Sequence, residues 1–242
     1  MSDGFNLTRD GAVLRLQIDR EDRGNMLTLA MLDEISAAIA GAGTDPAVKA
    51  ILISGKGADF CRGRDPQGAP ESKPTTAVEM RDALIQPILG VYAAVRDAQV
   101  PVVAAVQGTV QGLGCGIAAV CDVTVAAETA TFALPEMGAN LPPTLAMLAH
   151  LDRIPSKALM WMVMTRKQID SARALAHGLV SEVVPNDALF STADAVLETI
   201  SAYERESVAA CKSYLQRARQ ADYRTANDLA GNMLSVVLSS RG

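Results

Sequence analysis

The sequence predicts an α/β fold with a helical C-terminal part, on three observations. Short apolar runs alternate with helical patterns as far as Leu145. Several of those runs are continuous rather than alternating, as in strands buried on both faces. From Leu145 onward the signals turn mainly helical. Strands and helices in alternation, followed by helices alone, define that class.

The elements follow in order. Residues 12–18, AVLRLQI, alternate apolar and polar as a half-buried strand does. Residues 28–42 carry Leu29, Leu32, Ile35, Ala38 and Ile39 at helical spacing, with Thr28 as the N-cap. Residues 47–57, AVKAILISGKG, form a short apolar strand that glycines close. It leads into CRGRDPQGAPESKPTT (61–76), whose prolines and glycines predict a long, mobile loop of the kind that often carries function. A helix is expected from Ala77 to about Asp97 with a bend at Pro87. VPVVAAV (100–106) reads as a fully buried strand, AAVCDVTVAAE (118–128) as another, and TFALP (131–135) as a third. The later helical segments are LAMLAHL, SKALMWMVM, SARALAHG and the stretch from Ala193 to Leu238.

Composition narrows the function. With 242 residues the chain can bury a sizeable core. A net charge of −5 argues against nucleic acid as a partner, and 4% aromatics leave few stacking platforms. No run approaches 18 apolar residues, and the opening MSDGFNLTRDG has no signal-peptide pattern, so neither membrane nor export is expected. Cys61, Cys115, Cys121 and Cys211 form no CxxC pair, and His150 and His177 are the only histidines. A zinc site is therefore not expected, and free thiols in a reducing cytoplasm are.

Residues 108–117, GTVQGLGCGI, follow a strand and invite a nucleotide reading. Gly112, Gly114 and Gly116 bring the third glycine one residue early for GxGxxG. Glu136 lies in a loop after a proline, Glu128 comes too soon to read a ribose, and no GxxxxGK[ST] occurs. Taken alone, the glycines permit tight turning and close packing.

Read with two other segments, they mean more. GADFCRGRD (57–65), AAVQG through GLGCGIAAVCD (104–122) and ATFALPEMGANLPP (130–143) stand in a fixed order. RKQIDSARALAHGLVSEVVP (166–185) and RESVAACKSYLQRA (205–218) follow. Together they resemble the crotonase superfamily, the enoyl-CoA hydratase/isomerase family, from about residue 6 to about residue 238. The resemblance implies a spiral core of ββα units over 1–185 and a C-terminal helical oligomerisation region over 186–242 that builds a homotrimer or hexamer. It also implies an acyl-coenzyme A thioester substrate, with coenzyme A part of the substrate and no separate cofactor or metal.

The implied chemistry is an enolate held at the thioester oxygen by two backbone N–H groups. Residue by residue, these are the amides of Arg64 and Leu113, where the family usually has alanine and glycine. Met26, Arg62, Gly63, Asp65, Gly112 and Gly114 are implied to bind substrate or coenzyme A. Arg62 and Arg64 are either solvent-facing loop charge or contacts to phosphates or to a carboxylated acyl group. Family hydratases use two glutamates. Here the first position is Gly116, which cannot do acid–base work, and the second is Glu136. One carboxylate suits proton shuttling, so the expected reaction is 3-enoyl-CoA to trans-2-enoyl-CoA isomerisation. Leu134, Met137 and Leu141 are expected to wall the carboxyl and raise its pKa. Thr144 stands where other branches place an aspartate. The alternatives are a hydratase with a relocated acid, Asp65 first, and an inactive acyl-CoA-binding protein. If Gly116 answers to the hydratase glutamate, Gly116→Glu is expected to leave the fold intact.

Overall fold

The computed structural model describes residues 4–68 and 73–239. Part of the 61–76 loop, residues 69–72, lies outside the described residues. The strands are β1 (Phe5–Asp10), β2 (Val13–Ile18), β3 (Ala50–Gly55), β4 (Val102–Val106), β5 (Thr109–Gln111), β6 (Val123–Ala127), β7 (Thr131–Ala133), β8 (Ile169–Asp170) and β9 (Glu182–Val184). The helices are α1 (Leu29–Thr44), α2 (Ala77–Met80), α3 (Gln86–Asp97), α4 (Leu113–Val120), α5 (Thr144–His150), α6 (Ser156–Thr165), α7 (Ser171–Ala176), α8 (Leu189–Ser201), α9 (Arg205–Ala218) and α10 (Tyr223–Ser239).

Two sheets share the strands. The larger runs β1-β2-β3-β4-β6-β9, and the smaller runs β5-β7-β8. β1 pairs β2 antiparallel, and every later pair in the larger sheet is parallel. The chain leaves the larger sheet after β4, adds β5 to the smaller one and turns into α4. It returns as β6 and repeats the step with β7. Each ββα turn thus advances both sheets by one strand, and this is the expected spiral. Among the described residues the turn before has no second strand of its own, and an isolated parallel bridge, Cys61 to Val110, joins it to β5.

Period-two alternation explains why VPVVAAV is apolar throughout. Val102, Ala104 and Val106 face the core shared with Ile51, Ile53, Leu32, Val91 and Val95. Val103 and Ala105 face the opposite layer with Leu52, Leu189, Ala193 and Leu197. That opposite layer is α8. The first helix beyond residue 185 therefore packs on the larger sheet, and α9 and α10 lie outside it. Lys212 fastens α9 to the core, donating to the carbonyls of Val95 and Val100 and pairing with Asp122 at 2.8 Å.

Three sequence expectations need adjusting. Residues 118–120 belong to α4, not to a strand, because a run of small apolar residues is equally a buried helix or a buried strand. The expected bend at Pro87 is a π-helical turn, Arg81–Ile85, between α2 and α3, with Gln86 N–H reaching back to the Arg81 carbonyl. A proline ring crowds the carbonyl four residues before it, and the wider turn relieves that. The stretch from Ala193 to Leu238 is three helices, the first beginning at Leu189. Thr28 does cap α1, its hydroxyl accepting the Met31 N–H at 3.3 Å.

Candidate active site

Three chain segments meet at the backbone of Gln111 and Gly112. The Gln111 N–H donates to the Cys61 carbonyl at 3.1 Å, and the Gly112 N–H donates to the Ala133 carbonyl at 3.0 Å. A β-carbon at Gly63 would stand 3.3 Å from the Gln111 carbonyl oxygen. The turn after β3, the start of α4 and the turn after β7 are thereby locked together. These are the segments carrying Gly63 and Arg64, Gly112 and Leu113, and Glu136.

Gly112 has φ +50° and ψ −113°, a conformation that side chains disfavour. A β-carbon there would also come within 2.6 Å of Glu136 Oε1. Glycine at this position lets the carboxylate lie directly against the entrance of α4. Glu136 opens a 3-10 turn, Glu136–Ala139, whose exit is made by Asn140 in the left-handed region. The carboxyl is partly buried, and its Oε2 has no hydrogen-bond partner among the described residues. Burial raises its pKa above the usual carboxylate range. Leu134 is fully buried and Met137 is half-buried against the core. Leu141 is not an apolar wall: it is 61% exposed.

The two backbone amides singled out from the sequence have no acceptor among the described residues. Leu113 is the first residue of α4, where an N–H has no partner within the helix. Around Arg64, the parallel bridge to Leu27 uses the Gly63 carbonyl and the Asp65 N–H, leaving the Arg64 N–H on the other side. Gly114 has a packing role as well. A β-carbon there would lie 2.2 Å from the Cys61 carbonyl, so Gly114 allows α4 to press on the strand bridge.

The arginines and Asp65 also sort out. Arg62 is half exposed and pairs with Asp59 at 3.3 Å, a weak surface tie. The Arg64 side chain is exposed, and Met26 is half-buried next to the Leu27–Arg64 bridge. Asp65 is fully buried, accepts the Gln67 N–H at 2.9 Å and pairs with Arg20 at 2.9 Å. Arg20 also donates to the Met26 carbonyl. Asp65 is a clamp for the turn and not a relocated acid. The Gln67 N–H first, and then Arg20, hold its pKa below the usual range against the effect of burial. A depressed carboxylate stabilises the fold above its unfolded pKa, and that contribution is lost as pH falls through the folded pKa. Asp65→Asn is expected to cost about 1–3 kcal/mol in urea unfolding at pH 7, with the deficit shrinking in acid. Equal stability at pH 7 would show that the clamp is idle.

Two groups escaped sequence reasoning. Cys115 Sγ lies 3.3 Å from His150 Nε2, and His150 Nδ1 lies 2.6 Å from the Ala146 carbonyl. Both side chains are fully buried, and burial lowers the His150 pKa to about 4. The neutral ring donates from Nδ1 and accepts the thiol proton at Nε2, fastening α4 to α5. The other is Tyr92 on α3, 3% exposed. A β-carbon at Gly116 would meet its hydroxyl oxygen at 2.0 Å and its ring Cζ at 2.6 Å. The space a side chain at 116 would enter is filled. This packing argues against the expectation that Gly116→Glu spares the fold; the ring comes from α3, and no local pattern reveals it.

The model of the enoyl-CoA hydratase/isomerase family matches residues 8–241. The chain belongs to that family. Its likeness to an individual relative is typified by "Probable enoyl-CoA hydratase echA8" of Mycobacterium bovis. The two are 31% identical over 211 residues, 87% of this chain and 80% of the relative. Among solved structures, an enoyl-CoA hydratase of Mycobacterium smegmatis superposes with TM-score 0.92 at 27% identity, over 98% of this chain and 91% of the other. A Thermobifida fusca YX protein described as an enoyl-CoA hydratase, solved in complex with CoA, gives TM-score 0.87 at 26% identity, over 98% and 93%. The family membership and the crotonase fold agree with the spiral described above.

Proposed function

We propose that this chain moves a proton on an enoyl-CoA, converting 3-enoyl-CoA to trans-2-enoyl-CoA with Glu136 as its acid–base group. One observation carries the reading. Glu136 lies against Gly112 at the mouth of α4, while the place of a second acid at Gly116 is taken by Tyr92. The Glu136 carboxylate removes a proton from C2, and the C–H electrons pass into the thioester carbonyl to give an enolate. The Arg64 and Leu113 amides donate to that oxygen, and fixed donors of this kind contribute about 2.7–4 kcal/mol each. Glu136 then returns the proton to C4, the C2–C3 double bond forms and the carbonyl is restored. Burial of the carboxyl, by raising its pKa, eases the return.

A second reading is hydration, favoured by the hydratase names of the relatives. There Glu136 alone takes a proton from water as the oxygen attacks C3, and delivers a proton to C2. Purified protein given 3-enoyl-CoA and trans-2-enoyl-CoA distinguishes the two by absorbance and product mass. Isomer formation without an added 18 Da (the mass of water, ~18) supports the first reading; no turnover of either substrate overturns both.

The homotrimer is also a proposal. Leu234, Val236 and Leu238 on α10 are exposed, and a second copy covering them would bury apolar area. Light scattering should give a trimer or hexamer mass for the wild type, with Leu234→Glu reducing it. A monomeric wild type would count against it. No helix among the described residues is long and apolar enough to cross a membrane. Free Cys61, Cys115, Cys121 and Cys211 support a reducing compartment such as the cytoplasm, which fractionation would test.

A further inference from the structure

The segments of the candidate active site follow the C-terminal ends of their strands. A second cleft opens at the opposite end of the larger sheet, where β4 and β6 begin. Pro101 and Asp122, which precede those strands, line it together with Arg153 from the turn after α5 and residues of α9. Its volume is about 240 Å³. Sites for drug-sized ligands occupy roughly 300–1,000 Å³, so this one suits a small molecule. None of its lining residues lies on α10, the helix assigned above to assembly.

Charge in the cleft does not balance. Three cations line it, Arg153, Lys212 and Arg219, against two carboxylates, Asp122 and Asp152. Both carboxylates are already engaged. Asp122 accepts the Val102 N–H and pairs with Lys212, each at 2.8 Å. Asp152 pairs with Arg96 at 2.8 Å and with Arg219 at 3.1 Å. Arg153 acts on Asp152 only through space and forms no ion pair among the described residues. Among those residues its side chain makes one hydrogen bond, from Nη2 to the Val120 carbonyl, at 3.5 Å. Its Nε is buried without a partner. A guanidinium carries five donors, and burying it without a counter-charge costs stability. Leucine or methionine would fill the space without that cost, so packing does not account for the charge.

We propose that this cleft binds a small monocarboxylate whose carboxyl group pairs with the Arg153 guanidinium. Ile200, Val208 and Leu215 line the same cleft and give apolar cover to a short hydrocarbon chain. A bare oxyanion such as phosphate would set more charge against those side chains with nothing to gain from them. The site is distinct from Glu136 and does not depend on which of the two reactions prevails. A ligand bound there joins α9 to the turn after α5, so it raises the unfolding temperature.

The test is calorimetric titration of the protein with hexanoate, neutral hexanamide and inorganic phosphate. Hexanoate is expected to bind and to raise the unfolding temperature. Hexanamide is expected to bind about 10–100-fold more weakly, the range of one lost hydrogen bond to a charged group. Arg153→Gln should weaken hexanoate by the same factor. Should that variant fail to fold, Val208→Phe, which fills the cleft, is expected to abolish hexanoate binding. Saturating butyryl-CoA should leave hexanoate affinity unchanged, because the acyl-CoA site is elsewhere. The proposal is overturned if wild type does not bind hexanoate, or if hexanamide or phosphate binds as tightly. Displacement of hexanoate by butyryl-CoA, or full affinity in Arg153→Gln or Val208→Phe, overturns it equally.

Discussion

Glu136→Gln is expected to lower kcat by about 10²–10⁴-fold while acyl-CoA affinity stays within a few-fold. The amide keeps the shape of the carboxyl and its place against Gly112, but it cannot accept and return a proton. The amides of Arg64 and Leu113 are untouched, so the ground-state contacts to the thioester remain. Stability gives an independent sign. Glu136 has a raised pKa because burial disfavours its ionised form. Such a carboxyl favours the folded state below its unfolded pKa and costs stability as pH rises past it. At neutral pH the glutamine variant should therefore be at least as stable as wild type in urea unfolding. The wild-type pH profile of kcat/KM should lose activity on the acid side at a pKa above that of an ordinary glutamate. Retained turnover in a well-folded Glu136→Gln protein would remove Glu136 from the chemistry.

How much of this was legible before the structure depends on whether the signal was local. The β3 and β4 strands, the Thr28 cap and the three site segments are each written in a few consecutive residues, and all appear where the sequence places them. The α4 boundary was not legible, since Ile117 to Cys121 fit a strand as well as a helix and only the pairing of β6 with β4, which begins at Val123, decides. Asp65 was visible as a carboxylate beside the turn, but its partner Arg20 is 45 positions away. That partner converts it from a candidate acid into a clamp. The same holds for Tyr92. Its helix face could be read from Val91 and Val95, yet what its hydroxyl opposes is set by the packing of α3 on α4. Pairwise tertiary contacts between distant helices are the information a single sequence withholds.

The largest structural consequence of that packing is at Gly116. Gly116→Glu is expected to cost on the order of 5 kcal/mol or more, enough to unfold most of the protein at 25 °C, given the usual margin of 5–15 kcal/mol. Two costs add. The first is steric: the new β-carbon would lie 2.0 Å from Tyr92 Oη and 2.6 Å from Cζ, and the ring is held in the core between α3 and α4. Overpacking a dense interior typically costs about 1–3 kcal/mol, and a contact this close lies at the upper end. The second is electrostatic, since a carboxylate there would be buried near Glu136 with no cation on α4 to pair with it. Removing the ring should undo the first cost. Gly116→Glu with Tyr92→Ala is therefore expected to recover folding, measured by urea midpoint, where the single variant does not. The rescued protein would place a second carboxylate, on α4, beside the segment that carries Glu136, the two-glutamate pattern that family hydratases use, so it should add water to trans-2-enoyl-CoA faster than wild type does. A Gly116→Glu protein with a wild-type urea midpoint would mean that Tyr92 swings aside freely and that the contact does not restrict position 116.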